Sequence, residues 1–432
     1  MFRSFFAGGE AVLEAAMSLR VSQFANSDAA GGASGAALRI HAGLMRLGVR
    51  SRLWVTRRES SEPHVELLDY TSFLRRRWRG VEQRCEEMLL RSAKEGAEDT
   101  LSTGFFGYDP VPAVRSDESD VVQLHWIGAM TMALGRLRCM GKPIVWRLPD
   151  MWAFTGVEHY TGDDRRFRDG YSESNRPRGE SGFDISRFAW MFKKRVYGRI
   201  KSLTLVSPSE WLAGCVRESA LLGGREVVVI KTGCDTQLFR PLDRTTCREL
   251  LGLPQDRRLI LVTAAHLRHP RKGVDLFFDA IRFLRESLDN TSFSVVLLGA
   301  DQGELGAGMG VPVHSMGFVE DALHRCLIYN AADLVVAPSR QENLANTVLE
   351  ALSCGTPCAA FRVGGMPDAI EHRSNGWLAE PFSIENLAEG MQWVLDHAKP
   401  EDLRHAARRK VEGEFTIEMQ AKQFLELYKR LC

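Results

Sequence analysis

Apolar residues along this 432-residue chain fall into short near-continuous runs set between longer stretches of helical spacing. In the first half the runs are LRVSQF (19–24), SRLWV (51–55), DVVQLHW (120–126), KPIVWRL (142–148), SLTLVS (202–207) and EVVVI (226–230). In the second half they are RLILVTA (258–264), FSVVLLG (293–299), PVHSM (312–316), DLVVAP (333–338), PCAAF (357–361) and GWLAE (376–380). Runs of that length predict strands buried on both faces. Between them, Leu38, Ala42 and Met45 share one helical face, as do Leu276, Ala280 and Leu284. SPSEW predicts a helix capped by Ser207, with Pro208 in the first turn and Glu210 three positions on. The stretch 415–432 predicts one amphipathic helix.

Strand–helix alternation with buried strands predicts an α/β chain whose parallel sheets are covered on both sides. The length favours two such units. The expected boundaries are an extension at 1–17, one Rossmann-like domain at 18–232, a second at 233–412, and a helix at 413–432 returning to the first. In doubly wound sheets, ligands bind beyond the carboxyl ends of the strands, so the site is expected in a cleft where the two domains face each other.

Charge refines the picture little. The formal net charge is +1, which gives no global reason to expect nucleic acid. The nine cysteines include no C-x-x-C pair, which argues against a disulfide framework or zinc site and for a reducing cytoplasm. No apolar run has transmembrane length. Two basic runs stand out: Arg75, Arg76, Arg77 and Arg79, and the segment Lys193–Lys201. Each reads either as a solvated helix face or as a surface for anionic lipid or an anionic acceptor.

The segment SRQENLANTVLEALSCGTPCAAF (339–361) is the richest in chemistry. Glu342 and Glu350 lie on either side of a predicted helix start. Thr347 followed by Glu350 fits a capping box, with a stop near Gly355. A helix start favours an anion such as phosphate. Capping alone accounts for Glu350 and leaves Glu342 unexplained.

Residues 317–380, with this E-x7-E spacing and the following NGWLAE, resemble the signature of retaining GT-B glycosyltransferases of family 4. The resemblance implies that Glu350 binds the ribose hydroxyls of a nucleotide sugar and Glu342 the sugar ring. It implies that Leu344, Ala345, Asn346 and Thr347 line the diphosphate and sugar, and that Gly317 and Phe318 hold the base. AAHLRHPRKG is similar to the family's phosphate segment, so Lys272 would neutralise the leaving diphosphate. His266 stands where the family usually has arginine, and Arg271 is the candidate to supply that charge. The glycine-rich stretch with Gly31 and Gly32 resembles the family's first-domain loop, and it lacks G-x-G-x-x-G. VWRLPDMWAFTGVEHY resembles a bacterial polysaccharide-type segment, with Pro149 where many members have histidine. His125 and His159 are candidates to replace that histidine or to be core histidines, and Asp150 and Glu158 candidates to orient an acceptor.

The resemblance implies a retaining, metal-independent hexosyltransferase with no cofactor beyond its donor, since no D-x-D occurs. The donor would be a UDP- or GDP-sugar. The acceptor would be a saccharide or lipid-linked saccharide, in cell-surface or exopolysaccharide biosynthesis. The location would be cytoplasmic, with peripheral contact at the inner face of the membrane through the basic surface. The alternative is a nucleotide-sugar-binding GT-B protein with epimerase-like or scaffold function.

Overall fold

The computed structural model describes residues 18–28, 32–68, 73–94, 100–178, 180, 182–287, 292–300, 305–306 and 308–432. The extension at 1–17, Gly31 and the side chains of Arg75 and Arg76 lie outside the described residues. The chain divides into two units. One holds the described residues through Lys231 together with Gln420–Cys432, and the other is Thr232–Met419.

The first unit is a seven-stranded sheet of order β3-β2-β1-β4-β5-β6-β7. Its strands are β1 (Arg20–Ser27), β2 (Arg50–Arg57), β3 (Val65–Leu67), β4 (Val121–Leu124), β5 (Ile144–Arg147), β6 (Leu203–Ser207) and β7 (Val227–Val229), all paired in parallel. Strand β3 falls in the stretch whose pattern predicted no strand; three residues are too few to show a period. Along β4 and β5, Val122, Leu124, Ile144 and Trp146 enter one core while Val121 and Val145 enter the other. Phe424, Leu425 and Tyr428 of the Ile417–Leu431 helix complete that second core. The preceding helix runs Pro400–Glu414, so the break falls at Phe415–Thr416.

The second unit is a six-stranded parallel sheet of order β10-β9-β8-β11-β12-β13. Its strands are β8 (Arg258–His266), β9 (Phe293–Ala300), β10 (Val313–Ser315), β11 (Leu334–Ala337), β12 (Cys358–Phe361) and β13 (Gly376–Ala379). Alternation across this sheet is strict. Leu259, Leu261, Val335, Ala337, Cys358 and Ala360 face one core, and their neighbours Ile260, Val262, Leu334, Val336, Ala359 and Phe361 the other. The strand order reverses between β8 and β11, the position where doubly wound sheets open a crevice.

Two sequence expectations need correction here. The Glu210–Glu218 helix is capped by Ser209, whose hydroxyl accepts from Leu212 N; Ser207 instead ends β6 and donates to Ser209 O at 2.7 Å. The basic run 193–201 is not one face. Lys194, Arg195, Arg199 and Lys201 are exposed, but Lys193 is fully buried. Its ammonium donates to the carbonyls of Trp152, Thr155 and Gly156, the last at 2.7 Å, and lies 4.3 Å above the Trp152 ring. Burial pulls its pKa down to about 7, against the charges of Glu158 and Asp150. Three carbonyls match the three donors of the charged form. Arg79 also turns inward, with its guanidinium 4.1 Å from the Tyr108 ring. Among the described residues, no helix is long and apolar enough to cross a membrane.

Lys193→Met should remove the ammonium donor from three buried carbonyls and lower stability by about 2–4 kcal/mol in urea denaturation. Lys201→Ala on the exposed part of the run should stay within about 0.5 kcal/mol of wild type.

Candidate functional site

A charge cluster of the second unit sits beyond the carboxyl ends of β8 and β11. The chain leaves β8 at His266 and makes a short 3-10 turn at Pro270–Lys272. Gly273 follows at φ 64°, and a Cβ there would lie 2.0 Å from the Pro338 carbonyl oxygen just past β11. A glycine is therefore required for the two loops to close on each other. They are then joined by Arg340 N–H donating to Arg271 O (2.8 Å), by Arg271 Nη1 donating to Gln341 O (3.1 Å), and by the forked Arg340–Asp275 pair. The Arg340 hydrogen bond holds the Asp275 carboxyl below its ordinary range, against partial desolvation.

Glu342 lies at the centre. Its Oε2 accepts from Lys272 Nζ and from Arg271 Nη1 at 3.2 Å, and its side chain is 10% exposed. Burial alone would raise its pKa. The charges of Lys272 and Arg271 override that and hold it at about 2. Its backbone is fixed from behind. Gly364, at φ 55°, has no room for a Cβ, which would fall 1.7 Å from Glu342 O, and Gly365 N–H donates to that same oxygen.

Glu350 occupies a different environment. The helix that carries it runs Asn346–Ser353, with Ala345 as N-cap and no side-chain cap bond. Thr347 therefore lies inside the first turn, and the capping-box expectation is incorrect. Glu350 instead accepts from Tyr329 OH at 3.0 Å and pairs with Arg325 Nε at 3.5 Å. Burial, then the Glu350 charge, pushes the Tyr329 phenol well up. Arg325 also donates to Glu320 O (2.6 Å) and so ties Glu350 to the turn that follows Gly317 and the exposed Phe318. Arg325 and Tyr329 escaped the sequence reading. Their i,i+4 spacing on the Ala322–Ala331 helix was the available signal. Leu344 and Asn343 are buried in the 342–346 loop, and His266 is exposed at the end of β8.

The first unit has its own polar cluster. Asp150 accepts three N–H groups: Trp152 N (3.0 Å), Trp126 Nε1 (2.9 Å) and His159 Nδ1 (2.7 Å). His159 Nε2 meets Ser102 Oγ at 3.0 Å, and its ring stacks on Trp152. Both imidazole nitrogens of His159 are thus engaged by the protein itself. His125 is fully buried and bonded to Gln23 Oε1 at 2.8 Å, the position of a core histidine; burial keeps its pKa well below the ordinary value. Glu158 is taken up by Tyr171 and Ser186. Gly32 opens the Gly32–Arg46 helix. In this arrangement Asp150, His159 and Glu158 brace their own loop.

Residues 257–397 match the family model described as "Glycosyl transferases group 1". Among curated relatives, D-inositol 3-phosphate glycosyltransferase of Segniliparus rotundus is 26% identical over 235 residues, covering 52% of this chain and 51% of that protein. The Jonesia denitrificans protein of the same name is 34% identical over 222 residues, covering 48% and 51%. The chain thus spans about half the length of the curated relatives it matches. Among solved structures, a glycosyltransferase from Rickettsia africae aligns over 96% of this chain and 99% of its own, with TM-score 0.67 and 16% identity. Anabaena HepE, solved with UDP-glucose, aligns over 95% and 99%, with TM-score 0.63 and 18% identity. Residues 257–397 are a glycosyl transferases group 1 domain, and the chain that carries them has the GT-B fold of two Rossmann-like α/β units.

Proposed function

We propose that this protein is a retaining glycosyltransferase that moves a hexose from a nucleotide diphosphate sugar to a saccharide or lipid-linked saccharide. The observation that carries this reading is the Lys272–Glu342–Arg271 cluster beside a helix start without a side-chain cap. Two cations and the positive end of a helix suit a diphosphate. Glu342 before that helix and Glu350 within it suit the two polyols of a nucleotide sugar. Relatives named as glycosyltransferases and a neighbour solved with UDP-glucose support the same donor class.

In the proposed reaction, Lys272 and Arg271 stabilise the charge that develops on the departing diphosphate. The C1–O bond to phosphate breaks, and the acceptor oxygen bonds to C1 on the same face. The acceptor proton passes to the leaving phosphate oxygen. No protein nucleophile and no metal is called on. A cytoplasmic setting and a role in cell-surface or exopolysaccharide biosynthesis fit the donor and acceptor classes. The exposed Lys194, Arg195, Arg199 and Lys201 are the residues for any contact with anionic lipid.

One observation favours a second reading, a nucleotide-sugar-binding protein without transfer. Pro149 stands where the resemblance expects a histidine, and His159 and Asp150 are engaged with each other and with Ser102 and Trp126. Incubation with UDP-, GDP- and ADP-sugars and a panel of saccharide acceptors separates the two. Transfer should release nucleoside diphosphate in proportion to a glycosylated product, with the α or β configuration of the donor retained. A bound donor that is never consumed would decide for the second reading.

Three outcomes follow. Lys272→Ala should lower kcat by about 10²–10³ with a smaller change in donor affinity, and turnover should be unaffected by EDTA. Glu350→Gln should weaken donor binding by about tenfold, or 1.4 kcal/mol, with little loss of stability, because no cap is removed. The third concerns pH. The folded pKa of Glu342 lies below its unfolded value, so its contribution is present above about pH 4.5 and is lost as pH falls toward 2. Denaturation curves of wild type and Glu342→Gln should therefore differ by roughly 3 kcal/mol near neutrality and converge in acid.

A further inference from the structure

At the opposite, amino end of the same six-stranded sheet, four arginines surround one buried carboxylate. Asp333 precedes β11. Its Oδ1 accepts from Arg244 Nη1 at 2.6 Å, and its Oδ2 accepts from Arg248 Nη2 at 2.6 Å and from Leu259 N at 2.7 Å. Arg258 Nη1 lies 4.0 Å from Oδ1, and Arg404, from the Pro400–Glu414 helix, lines the same pocket. Among the described residues, Glu401, 3.6 Å from Arg404 Nε, is the other carboxylate paired within 4.0 Å of these four arginines, and its side chain is 72% exposed. Four guanidinium charges thus meet two carboxylates, one of them largely in water.

The excess has unsatisfied donors. Arg244 Nε and Arg404 Nη1 are both buried without a hydrogen-bond partner. Arg248, by contrast, is fully used, with Nε on Ala331 O and Nη1 on Arg257 O. A desolvated N–H without an acceptor is destabilising, and a guanidinium in that state more so. The pairing is also repulsive: burial, then the Arg244 charge, lowers the pKa of Arg404. Arg244, Arg258 and Arg404 converge on a small pocket that opens to solvent, with Pro400 and Leu403 on its apolar side.

We propose that this pocket is an anion site for a phosphate group, either inorganic phosphate or the phosphomonoester end of a small metabolite. A tetrahedral dianion supplies acceptors to the unbonded N–H groups and balances the surplus of two charges. The site is separate from the diphosphate cluster, which lies at the carboxyl ends of the strands. It is independent of whether the protein transfers a sugar.

The test is thermal unfolding of the full-length protein in phosphate or glycerol phosphate at tens of millimolar, against chloride of equal ionic strength. Phosphate also stabilises proteins non-specifically by exclusion from their surface, so the decisive quantity is the difference between variants. Wild type and Lys272→Met, which removes the other phosphate-binding cluster, should both gain about 3 °C. Arg404→Met and Arg258→Gln should lose most of that gain; Arg258 is half exposed, so its replacement keeps the fold. A larger gain with glycerol phosphate identifies a phosphomonoester, and a larger gain with phosphate identifies the free ion. Equal gains in wild type, Arg404→Met and Arg258→Gln overturn the proposal, as does a gain lost only in Lys272→Met. The ³¹P line width of phosphate gives a readout independent of stability: it should broaden with Lys272→Met and stay sharp once Arg404→Met is added.

Discussion

A carboxylate held between two cations in a nearly dry loop is the constraint on which the carboxyl edge of the second unit depends. Glu342 cannot be buried as an anion without Lys272 and Arg271. Those two residues reach it only because the loop after β8 lies directly against the loop after β11. That contact requires Gly273 against Pro338 O and Gly364 against Glu342 O. Arg340, forked on Asp275, ties the two loops a second time. Two glycines, three ion pairs and a backbone bridge therefore serve one arrangement. Altering any of them moves the cations as well as the carboxylate.

The two glutamates differ in what a ligand would have to displace. Glu342 is neutralised in full by its neighbours, so a diphosphate entering beside it competes for the same cations. In the proposed donor complex, Lys272 and Arg271 would be shared between a carboxylate and a phosphate, and Glu342 would be freed to accept from a sugar hydroxyl. Glu350 faces one hydroxyl donor and one arginine at longer range. The donor's two ends would therefore meet different surroundings: a phenol and an arginine at Glu350 and an exchange of ion pairs at Glu342.

Most of the strand framework was legible because the central strands are buried on both faces and read as near-continuous apolar runs, whereas β2 alternates between buried and partly exposed positions. Alternation between cores, as at Leu259 and Ile260, leaves no polar position to interrupt it. β3 was not legible, since three residues carry no period. Helix starts were legible to within two residues only. Ser207 and Ser209 are chemically the same cap, and their choice depends on where β6 ends. Thr347 failed for a stronger reason: Glu350 had a better partner in Tyr329 than a helix amide, and no local pattern records a contact made across 21 residues. Lys193 shows the same limit. Its run reads as a charged surface, yet one turn of three carbonyls takes its ammonium into the core.

The first unit poses the sharper chemical question, because Asp150 and His159 have the residue types of a reactive pair and the bonding of a brace. Three N–H donors converge on Asp150, and Ser102 engages the far nitrogen of His159. A carboxylate with about four acceptor positions has room for one more partner. Trp152 connects this brace to Lys193: its amide donates to Asp150, its carbonyl accepts from the ammonium, and its ring lies under both the ammonium and the His159 imidazole. The loop is consequently held at both ends by charge. Restoring a histidine at Pro149 would add a ring without releasing Asp150 or His159. A histidine role in this unit therefore requires either that the brace opens or that a residue outside it takes the role.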